Sequence, residues 1–153
     1  MKTIILYESK MGYTKKCAEY LHQKMENSEL FDIEKAGFVL KDYEQIVIGA
    51  PIYIGKVEDY TRDFIKRNKF TLLDRKLKFF FTGMNKKEYH IAVQDSLPVD
   101  IFYEAQIVFP GGIIDYSKLS LRDKYTIWRR LKIRQSVNDT HLENLDELLK
   151  DKE

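Results

Sequence analysis

The sequence has little of several things. It has one cysteine, Cys17, so no disulfide can form within the chain and a reducing compartment suits it. It has three prolines and seven glycines in 153 residues, too few for a flexible linker or a fibrous repeat. Neither charge sign dominates: 26 basic residues face 24 acidic ones, and a net charge of +2 gives no reason to expect nucleic acid. No apolar run approaches the ~18 residues of a membrane span. The opening MKTIILYESK has an apolar run too short for a secretion signal and no small-residue cleavage pattern, so a cytoplasmic location is expected. His22, His90 and His141 lack ligand spacing, so no metal site is expected. No Ser-His-Asp grouping can be argued either.

What is present suits one globular domain spanning 1–153. Four short, nearly continuous apolar runs stand out: TIILY (3–7), QIVIGA (45–50), LKFFFTG (77–83) and AQIVFPGG (105–112). Continuous runs suit strands buried on both faces. FDIEKA (31–36) alternates and reads as an edge strand. Helical spacing is predicted over 14–27, 57–68, 86–97 and 118–134. A last helix is predicted over 139–150, opened by the capping box Thr140-x-x-Glu143 and burying Leu142, Leu145, Leu148 and Leu149. Strands alternating with helices indicate a parallel α/β sheet covered on both sides. Only GFVLKDYE joins the second and third strands, so that crossover is a helical turn or two at most.

Such a sheet binds ligands beyond the C-terminal ends of its strands, beside the first strand. There the chain reads ESKMGYT, Glu8 to Thr14. Free N–H groups at the start of the following helix attract anions. Ser9 and Thr14 add hydroxyls, Lys10 adds charge, and Gly12 permits positive φ or close approach to a ligand. This is the composition of a phosphate cradle, and equally of a polar loop with Thr14 as N-cap. No G-x-x-x-x-G-K-[ST] or G-x-G-x-x-G is present. Cys17 has no arginine placed for a cysteine phosphatase loop, and GAPIYIG after the third strand lacks the acid of a receiver domain.

ESKMGYT resembles the flavodoxin phosphate loop, [ST]-x-x-G-x-T, with Ser9, Gly12 and Thr14 matching. YEQIVIGAPIYIGKVEDYTRDFIKRN (43–68) is similar to the flavodoxin branch that includes the bacterial quinone-dependent protoporphyrinogen oxidases. The resemblance implies a doubly wound five-stranded parallel sheet in the order 2-1-3-4-5, with helices on both faces and FMN at the switch point. It implies an FMN-binding redox protein, an electron carrier or oxidoreductase, exchanging electrons with a partner protein, a quinone or another small molecule. The cradle would then be Ser9, Lys10, Met11, Gly12, Tyr13 and Thr14. The flavin ring would lie between Pro51, Ile52, Tyr53, Ile54 and Gly55 on one side and Thr82, Gly83, Met84 and Asn85 on the other. No side-chain acid or base is implied. Met11 stands where many flavodoxins carry a hydroxyl, and Ile54 where the branch carries an aromatic. These departures keep open a second reading, a binding or regulatory module that has the fold but lost flavin.

The segment 116–134 has seven cations against Asp123 alone, with Leu121, Tyr125, Trp128 and Leu131 at helical spacing. Such a helix can lie on an anionic membrane surface, or it can be an ordinary covering helix with a solvated basic face. Gly111, Gly112 and Asp115 follow the fifth strand at the same edge, where they could line the substrate side or form a plain turn, and the turn is the preferred reading.

Overall fold

Parallel strands β1 (Thr3–Tyr7), β2 (Ser28–Asp32), β3 (Gln45–Tyr53), β5 (Lys76–Thr82) and β6 (Gln106–Val108) build the sheet, in the order β2-β1-β3-β5-β6. A two-residue strand, β4 (Lys56–Val57), folds back antiparallel on the end of β3. Counting the parallel strands alone, the order is the expected 2-1-3-4-5. These features come from a computed structural model, which describes residues 1–84 and 86–151.

Residues alternate between the two faces, and both faces are covered. On one, Ile4, Leu6, Ile46, Ile48, Phe79 and Phe81 pack against helices α2 (Asp59–Arg67), α3 (Lys69–Leu73), α4 (Lys86–Ser96) and α5 (Val99–Glu104). On the other, Ile5, Val47 and Phe80 meet Tyr13, Cys17, Ala18 and Leu21 of helix α1 (Tyr13–Lys24), with Leu145 and Leu148 from the C-terminal segment. Two-sided burial is why the central strands read as unbroken apolar runs. The link from β2 to β3 holds a single 3₁₀ turn, Leu40–Asp42, as its length required.

Four expectations are corrected. The edge strand lies at 28–32, not 31–36. Its register is set by pairing Thr3 with Ser28 and Tyr7 with Asp32, and the chain then turns at Asp32, whose carboxylate accepts the Glu34 N–H. The run 105–112 is not one strand. It breaks at Phe109–Pro110, because proline has no N–H for the ladder. Beyond the break, Gly111 and Gly112 are not a turn but part of β7 (Gly111–Ile114), which pairs antiparallel with β8 (Val137–Thr140), and the turn comes after it, opened by Asp115. The capping box does not form. Thr140 is committed to β8 and its hydroxyl donates to Asn138 Oδ1 at 3.0 Å. Residues Leu142–Leu149 are a 3₁₀ helix instead, and buried Leu145 and Leu148 sit at its three-residue period. Lys78, buried on β5, donates to Leu148 O at 2.6 Å and Lys150 O at 3.2 Å and ties this segment to the sheet.

Between β7 and β8 the chain leaves the sheet through a 3₁₀ turn, Tyr116–Lys118, and helix α6 (Leu121–Leu131). Ser120 caps α6 by accepting the Asp123 N–H at 3.1 Å. Among the described residues no helix is long and apolar enough to cross a membrane.

Candidate functional site

Three loops converge at the C-terminal ends of β1, β3 and β5. In the first, Glu8 turns inward and accepts both the N–H (3.2 Å) and the hydroxyl (2.6 Å) of Thr61, fastening the loop to α2. Burial raises the Glu8 carboxyl above its usual range, against the opposing pull of the Thr61 hydrogen bonds. Ser9 Oγ accepts the Gly12 N–H at 3.0 Å and closes the turn. Gly12 is the residue before α1, at φ 93°, a conformation that a side chain strains. The first N–H groups of α1 beyond it have no helical carbonyl to bond. Thr14 lies inside the helix rather than capping it. Its buried hydroxyl pairs with that of Thr82 at 2.8 Å and links the first loop to the third. Lys10 pairs with Glu58 at 3.1 Å and lies 4.9 Å over the Tyr53 ring.

The second loop is a two-residue hairpin closed by the Tyr53–Lys56 pair. Ile54 (φ 52°) and Gly55 (φ 75°) both take the left-handed region, the pattern of a type I′ turn. A β-branched residue there is strained. Tyr53 lines the site, and its buried hydroxyl has no hydrogen-bond partner among the described residues. Burial pushes its pKa up, and the nearby Asp123 carboxylate pushes it further.

Together the loops and α4 enclose a cavity of about 430 Å³. It runs from Lys10, Met11, Tyr13 and Thr14 at the start of α1 into a slot between Pro51–Ile54 and Thr82–Met84. Tyr89 and Phe109, stacked with centroids 4.5 Å apart, form its back wall. The family model described as a flavodoxin domain matches residues 4–141.

The chain belongs to the flavodoxin family.

Among solved structures it is similar to a flavoprotein in complex with FMN from Lactobacillus acidophilus NCFM, at 21% identity and a TM-score of 0.54, covering 72% of this chain and 92% of that one. It is similar to oxidised flavodoxin 1 from Bacillus cereus, at 17% identity and a TM-score of 0.53, covering 71% and 84%. It is also similar to a Fusobacterium nucleatum flavodoxin bound to flavin mononucleotide, at 14% identity and a TM-score of 0.55, covering 71% and 70%. None of the curated proteins matches the chain. At these identities the likeness to solved structures is one of fold.

The cavity brings together eleven of the residues named from sequence: Lys10, Met11, Tyr13, Thr14, Pro51, Ile52, Tyr53, Ile54, Thr82, Gly83 and Met84. Ser9, Gly12 and Gly55 do not line it; they set the loop shapes beneath it. Asn85 lies outside the described residues. Sequence reasoning missed Tyr89 and Phe109. The one signal for them was position, Phe109 being the aromatic directly after β6 and Tyr89 an aromatic in the helix that follows β5.

Of the roof, only Gly112 was raised from sequence, as the less favoured alternative to a turn, and it does line the cavity. The cavity is covered by Gly112, Ile113 and Ile114 of β7, by Lys118 and Leu119, and by Asp123, Ile127, Arg130 and Leu131 of α6. The basic helix therefore covers the site rather than a face of the sheet. The covering excursion is anchored at its root. Gly83 N donates to Gly111 O at 3.0 Å, and Pro110 O accepts both the Tyr13 hydroxyl and the His141 N–H at 2.8 Å.

Proposed function

We propose that this protein binds FMN in the roofed cavity and is an oxidoreductase that exchanges electrons with a small molecule. The observation that supports this is the continuity of the cavity from the free end of α1 into the slot between the second and third loops. Its volume is within the ~300–1,000 Å³ of ligand pockets. The residues present fit the cofactor. The α1 N-terminus and the Ser9–Gly12 turn suit the phosphate. Ile52, Tyr53, Ile54, Met84 and Tyr89 offer apolar walls for a ring. Bound FMN supplies the electron chemistry, while the chain binds it, orients it and shields it from water. The roof favours a small molecule over a docked carrier protein. Within that class the sequence resemblance points to quinones as acceptors and to protoporphyrinogen as the donor to assay first.

The module that has lost flavin keeps one observation in its favour. Thr14 and Lys10, two donors of the cradle, are engaged with Thr82 and Glu58. One titration decides between the two readings. The purified chain is expected to be yellow, or to quench FMN fluorescence stoichiometrically when stripped. Gly12→Val, which puts a branched residue at φ 93°, is expected to weaken binding at least ~10-fold, since the left-handed region costs roughly 1–2 kcal/mol for an ordinary residue and more for a branched one. A colourless chain that leaves FMN fluorescence untouched would establish the second reading.

The strained turn makes a separate prediction. Ile54→Asn creates Asn-Gly, the sequence that type I′ turns prefer. It is expected to raise stability by about 1 kcal/mol, or about 2–4 °C in Tm for a chain of this size, and to weaken FMN binding by removing an apolar contact. Calorimetry and the same titration check both. An unchanged Tm would mean that Ile54 carries no strain.

A further inference from the structure

The outer side of the roof is unlike the rest of the molecule. On α6 the cavity takes Asp123, Ile127, Arg130 and Leu131. At 100° per residue, Leu121, Tyr125 and Trp128 fall within roughly 60° of one another on the opposite side. Leu121 is 84% exposed and Tyr125 58% exposed. This apolar ridge is the reverse of ordinary helix burial, in which the outward face is polar.

Cations flank the ridge. Lys132 and Arg134 lie over the Trp128 ring at 5.2 and 4.9 Å, and Lys124 lies 5.1 Å over Tyr116. Among the described residues, Arg122, Lys124, Arg129, Arg130, Lys132 and Arg134 form no ion pair. Residues 116–134 carry +6 on a chain whose total is +2, so the remaining residues sum to −4. Of these charges Lys118, Asp123 and Arg130 line the cavity, so five cations, Arg122, Lys124, Arg129, Lys132 and Arg134, are left outside it beside the ridge.

We propose that the outer face of α6 docks on an anionic lipid bilayer, with Leu121, Tyr125 and Trp128 entering the headgroup boundary and the flanking cations meeting lipid phosphates. An exposed leucine among cations fits hydrocarbon, whereas nucleic acid would be met by cations and stacking rings alone. Tryptophan with Lys and Arg at its rim is the composition of a membrane interface. The helix is also small for a protein partner. Its 11 residues span roughly 16 Å, and at a helix width of ~10–12 Å one face offers on the order of 200 Å², against the ~800 Å² per side of a standard protein interface. Docking here sets the roofed cavity close to the membrane surface.

Vesicle sedimentation tests this with the full chain. Binding is expected to vesicles of phosphatidylcholine with phosphatidylglycerol at low salt, to be absent with phosphatidylcholine alone, and to fade as salt shortens the screening length from ~10 Å to ~3 Å. Trp128 is the sole tryptophan, so its emission is expected to shift to the blue on binding. Arg122→Glu with Arg129→Glu is expected to weaken binding ~10-fold or more. Leu121→Ser with Tyr125→Ser is expected to do the same and to abolish the blue shift. All four positions are outside the cavity lining, so both variants are expected to titrate with FMN as the parent does. Equal recovery with and without anionic lipid overturns the proposal. So does loss of binding in the charge variant but not in the apolar one, which would mark simple counterion attraction. FMN binding can fail without touching any of these outcomes.

Discussion

Gly112→Val is expected to cost the protein more at the site than in the core. A Cβ at Gly112 would stand 2.7 Å from Gly83 O, 2.9 Å from Gly83 C and 3.0 Å from Gly83 N. Those atoms are backbone, so no rotamer change relieves the clash. Either β7 lifts away or the Gly83 loop moves, and both belong to the cavity, the one as roof and the other as wall. Overpacking of this kind costs typically ~1–3 kcal/mol, and each 1.4 kcal/mol is tenfold in a binding constant. Most of the strain falls on the loop, so FMN affinity is expected to drop by about 10- to 100-fold. The sheet contributes most of the core and does not include Gly112, so the far-ultraviolet circular dichroism is expected to persist. Ile113→Ala, at the next residue of β7, removes roof contact without the clash and is expected to cost less. If the valine variant binds FMN as tightly as the parent, the ribbon is not part of the site.

That prediction depends on a contact that no sequence pattern announced. The central strands were legible because burial on both faces leaves a local trace: every residue of TIILY and of LKFFF is apolar or shielded, whichever face it meets. The Ser9–Gly12–Thr14 spacing was legible for a similar reason, since a tight turn into a helix restricts residue types within one short window. The edge strand was misplaced because its register comes from β1, not from its own alternation. The C-terminal segment read as an α-helix because Thr140 and Glu143 have the spacing of a capping box. What decides the outcome is that β8 takes Thr140 and that leucines three apart suit a 3₁₀ helix. Helix α6 was legible as a basic helix. Its place over the cavity was not, because it follows from where the excursion is rooted, in bonds from Gly83, Tyr13 and His141 to Gly111 and Pro110. Tyr89 and Phe109 became one wall for the same reason. They are twenty residues apart in sequence and meet because β5 and β6 are neighbours.

Alkali is expected to unfold the chain, starting near pH 9, through groups buried in their protonated form. Cys17 is fully buried, and burial pushes its thiol from 9.0 up to about 12. Burial, then donation to Glu29, pushes the Tyr43 phenol up to about 12. Burial also raises Tyr13, Tyr53 and Tyr89 above their ordinary value of 10.0. Each of these groups holds its proton more tightly in the folded chain than in the unfolded one. Their stabilisation is complete below the unfolded values, 9.0 for the thiol and 10.0 for the phenols, and is lost as pH rises through the folded values. Lys78 acts in the opposite sense. Burial lowers its pKa, so between that lowered value and 10.5 it makes stability rise with pH. One lysine stands against five groups, and the net slope is downward. The thiol alone, shifted by about three units, is worth on the order of 4 kcal/mol across its window, enough to matter against a total of roughly 5–15 kcal/mol. Urea midpoints are expected to hold steady from pH 7 to about 8.5 and to fall beyond 9. In Cys17→Ala the fall is expected to begin about one pH unit later, where the phenols take over. A midpoint that climbs between pH 9 and 11 would mean that the buried lysine outweighs the buried phenols and thiol.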